Sequence, residues 1–387
     1  MKVAMPVLAC AVCLLTAMPE SSQMLSGPRY NVLSPITQNN LTVFPVVAAR
    51  VFDTSGFITL DEGIASGQVV ITERTGRANE FNQPDLNQRG LVRPRFYPPS
   101  MDDGIWSERP PQLLERGARV NELALTNHSD NPLLLLAGEI VMGGKQDRVV
   151  SRDRIIPAHS NPVALDVFCV EPHRWRETST RFGVLGSSMA QPSVRFRAMA
   201  DQDQQGVWNE VAKSRASFAA GLATPQATVI ESTSSYAGAM QSEGVQRQLD
   251  SIVIPMDRMF DKLRQQLRSK KAVGEVVALN GELVWVDVFA SPSLLDKYWP
   301  KLIRSYAAEA FSLRAAPPFY KLPPTIDSAQ NFLGRFEAKR ESVNTEPGVY
   351  RNTELTGYNF HAFILTALLP NTGFNVHIAK MKSNARR

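Results

Sequence analysis

The residues with the clearest capacity for chemistry lie in one segment, 133–175, in which charged side chains interrupt short apolar runs. Polar groups at strand ends and in loops on a rigid sheet are common places for binding and catalysis. Two kinds of chemistry are represented: carboxylates for proton transfer, and backbone or cationic donors for anion binding. The predicted site residues are Glu139, Gly143, Gly144, Lys145, Gln146, Arg148, Glu171, Arg174 and Trp175.

The sequence Gly143-Gly144-Lys145 follows a predicted strand and could form an anion-binding corner. Two adjacent glycines let backbone N–H groups converge on one anion, and a lysine adds a positive charge. In this interpretation Arg148 shares the charge and Gln146 orients the ligand. The segment is not a P-loop, which requires G-x-x-x-x-G-K-[ST]. The same residues also suit an ordinary β-turn with an exposed lysine.

Glu139 and Glu171 are the candidate acid and base, because each lies at the end of an apolar run. Partial burial at these positions would raise a carboxyl pKa toward the range that is useful for proton transfer. The alternative, which the sequence favours, is that both form structural ion pairs with Arg148, Arg152 or Arg174. Nothing in the sequence requires the two glutamates to face each other.

The remaining chemical signals are weak. Trp175, next to Arg174, could cover the apolar part of a ligand or close the core. Cys169 lies mid-strand among apolar residues, which predicts an inert buried thiol. We predict no metal and no cofactor, because the calcium-loop-like stretch 201–206 has Ala212 in place of its bidentate glutamate and zinc and nucleotide motifs are missing. We also predict no nucleic-acid binding, because the chain has no aromatic-basic array.

Composition and the first residues bound the class of protein. The chain has 387 residues, 43% hydrophobic and 20% charged, with a net charge of +5. This is ordinary globular usage and excludes a disordered, collagen-like or disulfide-stapled protein. Residues 1–22 are typical of a secretory signal peptide, with an uncleaved membrane anchor as the alternative. We therefore expect a periplasmic or extracellular protein that has no membrane contact after cleavage.

The sequence patterns around these residues predict an α+β fold with a β-rich first half and a helical second half. Two strands joined by Asn280-Gly281 predict a hairpin with a type I′ turn. The predicted strands are 41–47, 57–60, 68–72, 120–126, 133–136, 163–171, 273–279, 283–289 and one within 358–369. The predicted helices are 207–222, 245–267 and 293–313, the last with Ser293 as its cap.

The chain divides by composition into a signal peptide (1–22), a linker (23–39), one large domain (40–315) and a C-terminal extension with a basic tail (316–387). Prolines cluster within 76–118, which predicts a long exposed insertion loop. Loops of this length in a compact domain are often functional or disordered. The sequence predicts no oligomeric state.

Three stretches resemble a bacterial family, the ARG- and rhodanese-phosphatase-superfamily-associated protein domain. They are FITLDEGIASGQVVITE (57–73), LLLLAGEIVMGGKQDRVVSRDRIIPAHS (133–160) and VFCVEPHRW (167–175), and the stretch 273–310 looks like the C-terminal part of the same family. The likeness covers about residues 40–315. Its matching motif residues are Glu139, Lys145, Gln146, Arg148, Cys169, Glu171, Arg174 and Trp175.

This resemblance implies a link to NAD-derived or phosphorylated metabolites, since the family is named for its association with ADP-ribosylglycohydrolases and rhodanese-phosphatases. It implies no particular activity. The chain departs from the family in the proline-rich insertion, in Gly144 and Asp147 where alanine and asparagine are expected, and in the predicted signal. Export conflicts with a cytoplasmic nucleotide role.

Three functions are compatible with these observations. The first is a binding domain for an anionic small molecule, possessing the corner described above with Trp175 over the apolar part. The second is a hydrolase of ADP-ribose-like, glycosidic or phosphate ester substrates that uses Glu139 and Glu171. The third is a cell-envelope interaction scaffold that uses the long loop and the basic tail.

Overall fold

The computed structural model describes residues 30–74, 121–172, 174, 177–267, 272–314 and 323–383. Three of the predictions lie outside these residues: the signal peptide 1–22, the loop 76–118 and the role of Trp175. Within the described ranges, no helix is both long enough and apolar enough to cross a membrane.

Strands and helices contribute in similar measure to the described chain. The strands are β1 (Tyr30–Val32), β2 (Ile36–Gln38), β3 (Leu41–Ala48), β4 (Ile58–Thr59), β5 (Val69–Glu73), β6 (Glu122–Asn127), β7 (Leu133–Leu135), β8 (Glu139–Met142), β9 (Arg148–Val150), β10 (Arg154–Ile156), β11 (Val163–Cys169), β12 (Gly183–Met189), β13 (Ala272–Leu279), β14 (Glu282–Phe289), β15 (Ala338–Glu346), β16 (Tyr350–Gly357), β17 (Phe360–Ala367) and β18 (Asn375–Lys382). The helices are α1 (Leu60–Ala65), α2 (Pro192–Phe196), α3 (Gln204–Ala220), α4 (Thr224–Ser232), α5 (Tyr236–Gln241), α6 (Glu243–Leu267), α7 (Pro292–Ser312) and α8 (Ile326–Gly334), and a π-helical turn spans Arg197–Asp201. The α+β class is confirmed.

The largest sheet has nine strands, and all its strand pairs are antiparallel. Its order is β1-β3-β13-β14-β18-β17-β16-β15, and β2 also pairs with β3. The predicted hairpin lies at its centre, where Asn280 and Gly281 join β13 to β14. Their φ angles of 49° and 76° fit a type I′ turn, which requires positive φ at both central residues.

The segments predicted as linker and as C-terminal extension also supply strands to this sheet. β1 and β2 lie within 23–39, and β15 to β18 lie within 316–387. Only β17 was anticipated among the last four. β15 gives no strand pattern because its sequence, AKRESVNTE, has no regular apolar alternation and its side chains are almost all exposed.

A second sheet carries most of the predicted site residues. Its six strands have the order β12-β8-β9-β11-β6-β5, and a small third sheet has the order β10-β7-β4. Leu125, Leu135 and Val141 belong to one buried apolar cluster between these strands. Charged residues at the strand ends are therefore held on a well-packed framework.

Helices cover both faces of the nine-stranded sheet. α7 packs against β13 and β12, and Phe289 and Tyr298 stack with ring centroids 5.4 Å apart in the main core. On the other face α8 contributes Leu333 to a separate cluster with Phe44 and Ile364. α7 thus connects the two larger sheets.

One helix cap differs from the prediction. The cap of α7 is Ser291 rather than Ser293, because Ser291 Oγ accepts a hydrogen bond from the Leu294 N–H at 3.2 Å. Pro292 then occupies the first helical position, where a backbone N–H is not needed.

The calcium-loop-like stretch 201–206 also contains a helix cap. Asp203 caps α3, and its carboxylate accepts hydrogen bonds from the N–H groups of Gln205 and Gly206 at 3.0 and 2.9 Å. A carboxylate that neutralises unpaired N–H groups in the first turn stabilises a helix.

Candidate functional site

The Gly143–Asp147 turn between β8 and β9 has its backbone donors already occupied. Gly143 N–H donates to Asp147 Oδ1 at 3.0 Å, and Gly144 N–H donates to Ser179 Oγ at 3.3 Å. Lys145 N–H donates to Glu73 Oε1 at 2.7 Å. An anion at this turn would therefore have to displace three internal acceptors.

Arg174 closes the same turn from the other side. Its guanidinium contacts Glu171 Oε2 at 2.5 Å, Asp147 Oδ1 at 3.2 Å and the Gly144 carbonyl at 3.0 Å. The Glu171 carbonyl accepts a hydrogen bond from Gln146 Nε2 at 2.9 Å. Glu171 thus forms one of the structural ion pairs that we considered, with Arg174.

Arg148 completes this group of predicted residues. It is 1% exposed, its Nη1 donates to Gln146 Oε1 at 3.3 Å, and its Nη2 lies 4.0 Å from Glu73 Oε1. The structure therefore brings seven predicted residues to one polar turn, in which Arg148 Nε is buried without a hydrogen-bond partner among the described atoms. They are Gly143, Gly144, Lys145, Gln146, Arg148, Glu171 and Arg174.

Glu139 lies at the other end of β8 and has different partners. Its carboxylate pairs with Lys301 of α7 and accepts a hydrogen bond from the Leu136 N–H at 2.8 Å. Burial raises the pKa of Glu139, although the nearby Lys301 ammonium opposes this. The structure does not bring Glu139 and Glu171 together, because each has its own cation at opposite ends of the strand.

Cys169 is buried, and burial raises the pKa of its thiol to about 11. The predicted burial of the thiol is confirmed, and the raised pKa disfavours the thiolate form that a nucleophile requires.

A second concentration of charge is fully buried beneath the nine-stranded sheet. We call it the buried charged cluster, and it consists of Asp153, Arg195, Glu275, Asp287, Tyr306 and His377. At its centre Asp287 accepts hydrogen bonds from Arg195 Nη1 at 3.0 Å and Nη2 at 3.1 Å. Trp285 Nε1 donates to the same carboxylate at 2.9 Å.

His377 lies between two carboxylates of this cluster. Its Nδ1 is 2.6 Å from Asp153 Oδ2, and its Nε2 is 3.1 Å from Asp287 Oδ1. Burial lowers the pKa of His377, but Asp153 and Asp287 outweigh this effect and raise the pKa to about 9. His377 is therefore an imidazolium at neutral pH, donating from both nitrogens.

Glu275 is the acid of the cluster whose ionisation is disfavoured. Burial and the neighbouring Asp287 raise its pKa well above the ordinary value. Tyr306 donates to its Oε1 at 2.8 Å, whereas Oε2 is buried and has no hydrogen-bond partner among the described atoms. The Asp287 pKa is held low, because Arg195 and His377 outweigh the effect of burial.

These residues were missed in the sequence, although a signal for them exists. Glu275 interrupts the apolar stretch VGEVV, Asp287 interrupts VWVDVF, and His377 interrupts NVHIA. A single ionisable residue inside an apolar strand requires a buried partner. The partners come from other strands and helices, so the sequence alone does not reveal them.

Asp153 also lines a small cleft at the surface, of about 50 Å³ and with more apolar than polar surface, which we call the β15–β17 cleft. One wall is formed by the β9–β10 turn and by the end of the π-helical turn, and the floor is formed by three strands of the nine-stranded sheet. Its lining residues are Arg152, Asp153, Met199, Gln202, Ser342, Asn344, Asn352, Thr353, Glu354 and Phe363. Asp153 is held from behind by His377 and by the Ala137 N–H at 2.7 Å.

Two amide side chains in this cleft are fixed in opposite orientations. Asn352 Nδ2 donates to the Asp153 carbonyl at 2.8 Å, which leaves Asn352 Oδ1 as an acceptor. Gln202 Oε1 accepts from Arg152 Nη2 at 2.9 Å, which leaves Gln202 Nε2 as a donor. Because a carbonyl can only accept and a guanidinium can only donate, chemistry fixes both orientations.

The charged side chains of Arg152 and Glu354 lie next to the Gln202 donor and the Asn352 acceptor, respectively. Arg152, next to the Gln202 donor, makes no ion pair with a described residue. Glu354 lies two register rows from Asn352 on β16, on the same face of the strand and opposite Phe363 of β17. The wall of the cleft therefore has the Arg152 and Gln202 donors beside the Asp153 carboxylate, and the floor has acceptors with an aromatic ring beside them.

No group of three or more histidine, cysteine, aspartate or glutamate side chains in the described part of the chain could hold a metal ion.

The comparisons with known proteins identify a family. A family model described as ARG and Rhodanese-Phosphatase-superfamily-associated Protein domain matches residues 29–379. No match was found among curated proteins or among solved structures. The match includes the resembling stretches, both larger sheets and the helices between them. The chain therefore belongs to the ARG and Rhodanese-Phosphatase-superfamily-associated Protein domain family.

Proposed function

We propose that this protein binds a small ligand with an anionic group at one end and hydroxyl groups at the other, as in a ribose phosphate, in the β15–β17 cleft. The observation that carries the proposal is the opposite fixed orientation of Gln202 and Asn352. The anionic group would lie at Arg152 and Gln202 Nε2, and the hydroxyl groups would donate to Asn352 Oδ1 and Glu354.

The charge on Arg152 supports this placement. A planar guanidinium suits phosphate and carboxylate groups, with which it forms paired hydrogen bonds. Arg152 is already oriented by the neutral Gln202 side chain. Binding there would not require an internal carboxylate to be displaced, in contrast to the Gly143–Asp147 turn.

The floor of the cleft supports the hydroxyl end. A carboxylate and an amide oxygen both accept from hydroxyl groups, and Phe363 offers an apolar surface to a sugar ring. The family's association with ADP-ribosylglycohydrolases suggests the same chemical class. Export through residues 1–22 stays a prediction, and the ligand would then be met outside the cytoplasm.

Two of the sequence hypotheses, the Gly143–Asp147 corner and the hydrolase, have less support. Anion binding at the Gly143–Asp147 turn would break three internal hydrogen bonds. Hydrolysis with Glu139 and Glu171 as acid and base would need both carboxylates beside the bond that is cleaved. In glycosidases the two carboxylates lie within roughly 10 Å of each other. Their separate ion pairs at opposite ends of β8 do not favour that arrangement.

Isothermal titration calorimetry with ribose 5-phosphate, ribose and inorganic phosphate tests the proposal. We expect ribose 5-phosphate to bind more tightly than either fragment. Arg152→Ala should weaken binding by roughly tenfold or more, because it removes a charged hydrogen bond. Glu354→Gln should weaken ribose 5-phosphate and leave phosphate unaffected.

Lys145→Ala is the matched control, since it removes a positive charge from the predicted corner and not from the cleft. It should leave the Kd unchanged. The proposal would be refuted if none of the three ligands binds. Binding that is lost in Lys145→Ala and retained in Arg152→Ala would return the anion to the Gly143–Asp147 turn.

A further inference from the structure

β15 is an edge strand whose outer side is uncovered. It pairs with β16 on one side and ends the nine-stranded sheet on the other. Its first eight residues are exposed, and the ninth, Glu346, is partly exposed. Among the described residues, no strand pairs with the outer side of β15.

This edge lacks two of the features that prevent strand pairing and has others. Exposed edges are usually short, interrupted by proline, bulged or charged, and β15 has four charged residues, Lys339, Arg340, Glu341 and Glu346. β15 has nine residues and no proline, and its only register shift lies between Ala338 and Arg340. Arg340 to Glu346 therefore present an unbroken outer backbone edge, with Val343 near the middle and 49% exposed.

We propose that two copies of this chain associate by antiparallel pairing of their β15 strands about a twofold axis at Val343. This register places Val343 opposite its own copy, and Arg340 opposite Glu346 of the partner subunit. Ser342 then faces Asn344 of the partner subunit, and Glu341 faces Thr345 of the partner subunit. The two sheets would join into one continuous sheet.

Charge selects this register from its neighbours. A shift of the axis by one residue toward the C-terminus, to Asn344, pairs Ser342 with Glu346 of the partner subunit and leaves no pair of opposite charges. A shift by one residue toward the N-terminus, to Ser342, leaves no pair of opposite charges. The register at Val343 has two arginine–glutamate pairs by symmetry and opposes no like charges.

The charged residues of β15 are then specificity elements of a closed dimer. A twofold pairing uses both free edges, so it ends after two copies and does not continue into a fibre. The proposal is independent of the ligand proposed for the cleft. A peptide strand from another protein could use the same edge, in which case the protein itself would be monomeric.

Sedimentation equilibrium of the purified protein over a range of concentrations tests this inference. We expect a monomer–dimer equilibrium. Arg340→Glu should weaken dimerisation by about tenfold or more, because both arginine–glutamate pairs become like-charge pairs. The charge-swapped double variant Arg340→Glu/Glu346→Arg should restore the dimer.

Circular dichroism and thermal unfolding of each variant check that the fold is retained. Glu346 also lies 3.6 Å from Arg154, so Glu346→Arg alone reports any effect within one subunit. A protein that is monomeric at all concentrations overturns the inference. A dimer that is insensitive to Arg340→Glu, or one that the double variant fails to restore, contradicts this pairing as well.

Discussion

His377 Nδ1 lies 2.6 Å from Asp153 Oδ2, and this contact joins the buried charged cluster to the wall of the β15–β17 cleft. Asp153 is thereby held in place by a charged histidine of β18, which lies 224 residues away in the sequence. The cleft wall and the interior of the nine-stranded sheet are therefore coupled through one ion pair. The stability of the protein depends on this cluster and on the buried Lys301–Glu139 ion pair.

The contribution of His377 to stability should fall as the pH rises above neutrality. The pKa of His377 is about 9 in the folded protein and ordinarily 6.5, so the folded state holds its proton more tightly. This contribution is complete below pH 6.5 and is lost between about pH 6.5 and 9, with a size of roughly 3 kcal/mol. Urea unfolding across this pH window measures it.

A variant of the same residue provides the control for this pH dependence. His377→Gln removes the titrating group, so the corresponding decline should flatten, although its overall stability should be lower. Burial lowers the pKa of Lys380 to about 7, so its deprotonation favours the folded state in the same pH range, and His377 is therefore read from the difference between wild type and variant. A difference in unfolding free energy between the wild type and His377→Gln that stays constant across this window would contradict a charged His377.

Glu275→Gln should stabilise the protein at neutral pH. Ionisation of the buried carboxyl group is unfavourable, because burial and Asp287 raise its pKa well above the ordinary value. A glutamine of nearly the same shape avoids this cost and can still accept a hydrogen bond from Tyr306. Thermal and urea unfolding measure the change, and a clear loss of stability would show that the folded protein requires the carboxylate.

Breaking the buried Lys301–Glu139 pair should be costly. Lys301 is 3% exposed and also lies 3.0 Å from Asp61. Lys301→Met leaves the Glu139 carboxyl group buried without its cation, which should cost roughly 3–5 kcal/mol. The double variant Lys301→Met/Glu139→Leu should regain most of this loss, as measured by urea unfolding. Equal losses in the single and double variants would rule out a pairing effect.

Gly138→Ala should be much more destabilising than Gly67→Ala. Both glycines have positive φ, +96° and +71°, so both substitutions introduce backbone strain. A Cβ at Gly138 would lie 2.6 Å from Arg195 Cγ, whereas a Cβ at Gly67 meets nothing within 4 Å. Arg195 cannot move without losing Asp287, so the difference between the two variants reports the rigidity of the buried charged cluster.

That difference should exceed roughly 2 kcal/mol in urea unfolding, because the substitution both overpacks the site and disturbs a buried ion pair. Similar losses in the two variants would mean that Arg195 can shift at little cost.

Local sequence determined much of the secondary structure. Asn280-Gly281 set the central hairpin because few other residues adopt two successive positive φ angles. Apolar alternation and helical spacing marked β3, β11, α3 and α6, since burial on one face imposes a period. The choice of Ser291 over Ser293 as a cap depended on the position of Pro292, a detail that we misjudged.

The family was also identifiable from the sequence, and so were the residues of the Gly143–Asp147 turn. Their grouping follows from one short hairpin between β8 and β9, which neighbouring residues in the chain can specify. Whether its N–H groups are free depended on Glu73 and Ser179, which lie far away in the chain.

Only the tertiary structure decided which charges meet. Asp153, Arg195, Asp287 and His377 come from a turn, a helix and two strands that are adjacent because β14 pairs with β18 and α2 lies over them. Each residue alone is an isolated charge in an apolar or mixed stretch. The buried partner that makes it tolerable is set by strand order and layer packing, which no local pattern encodes.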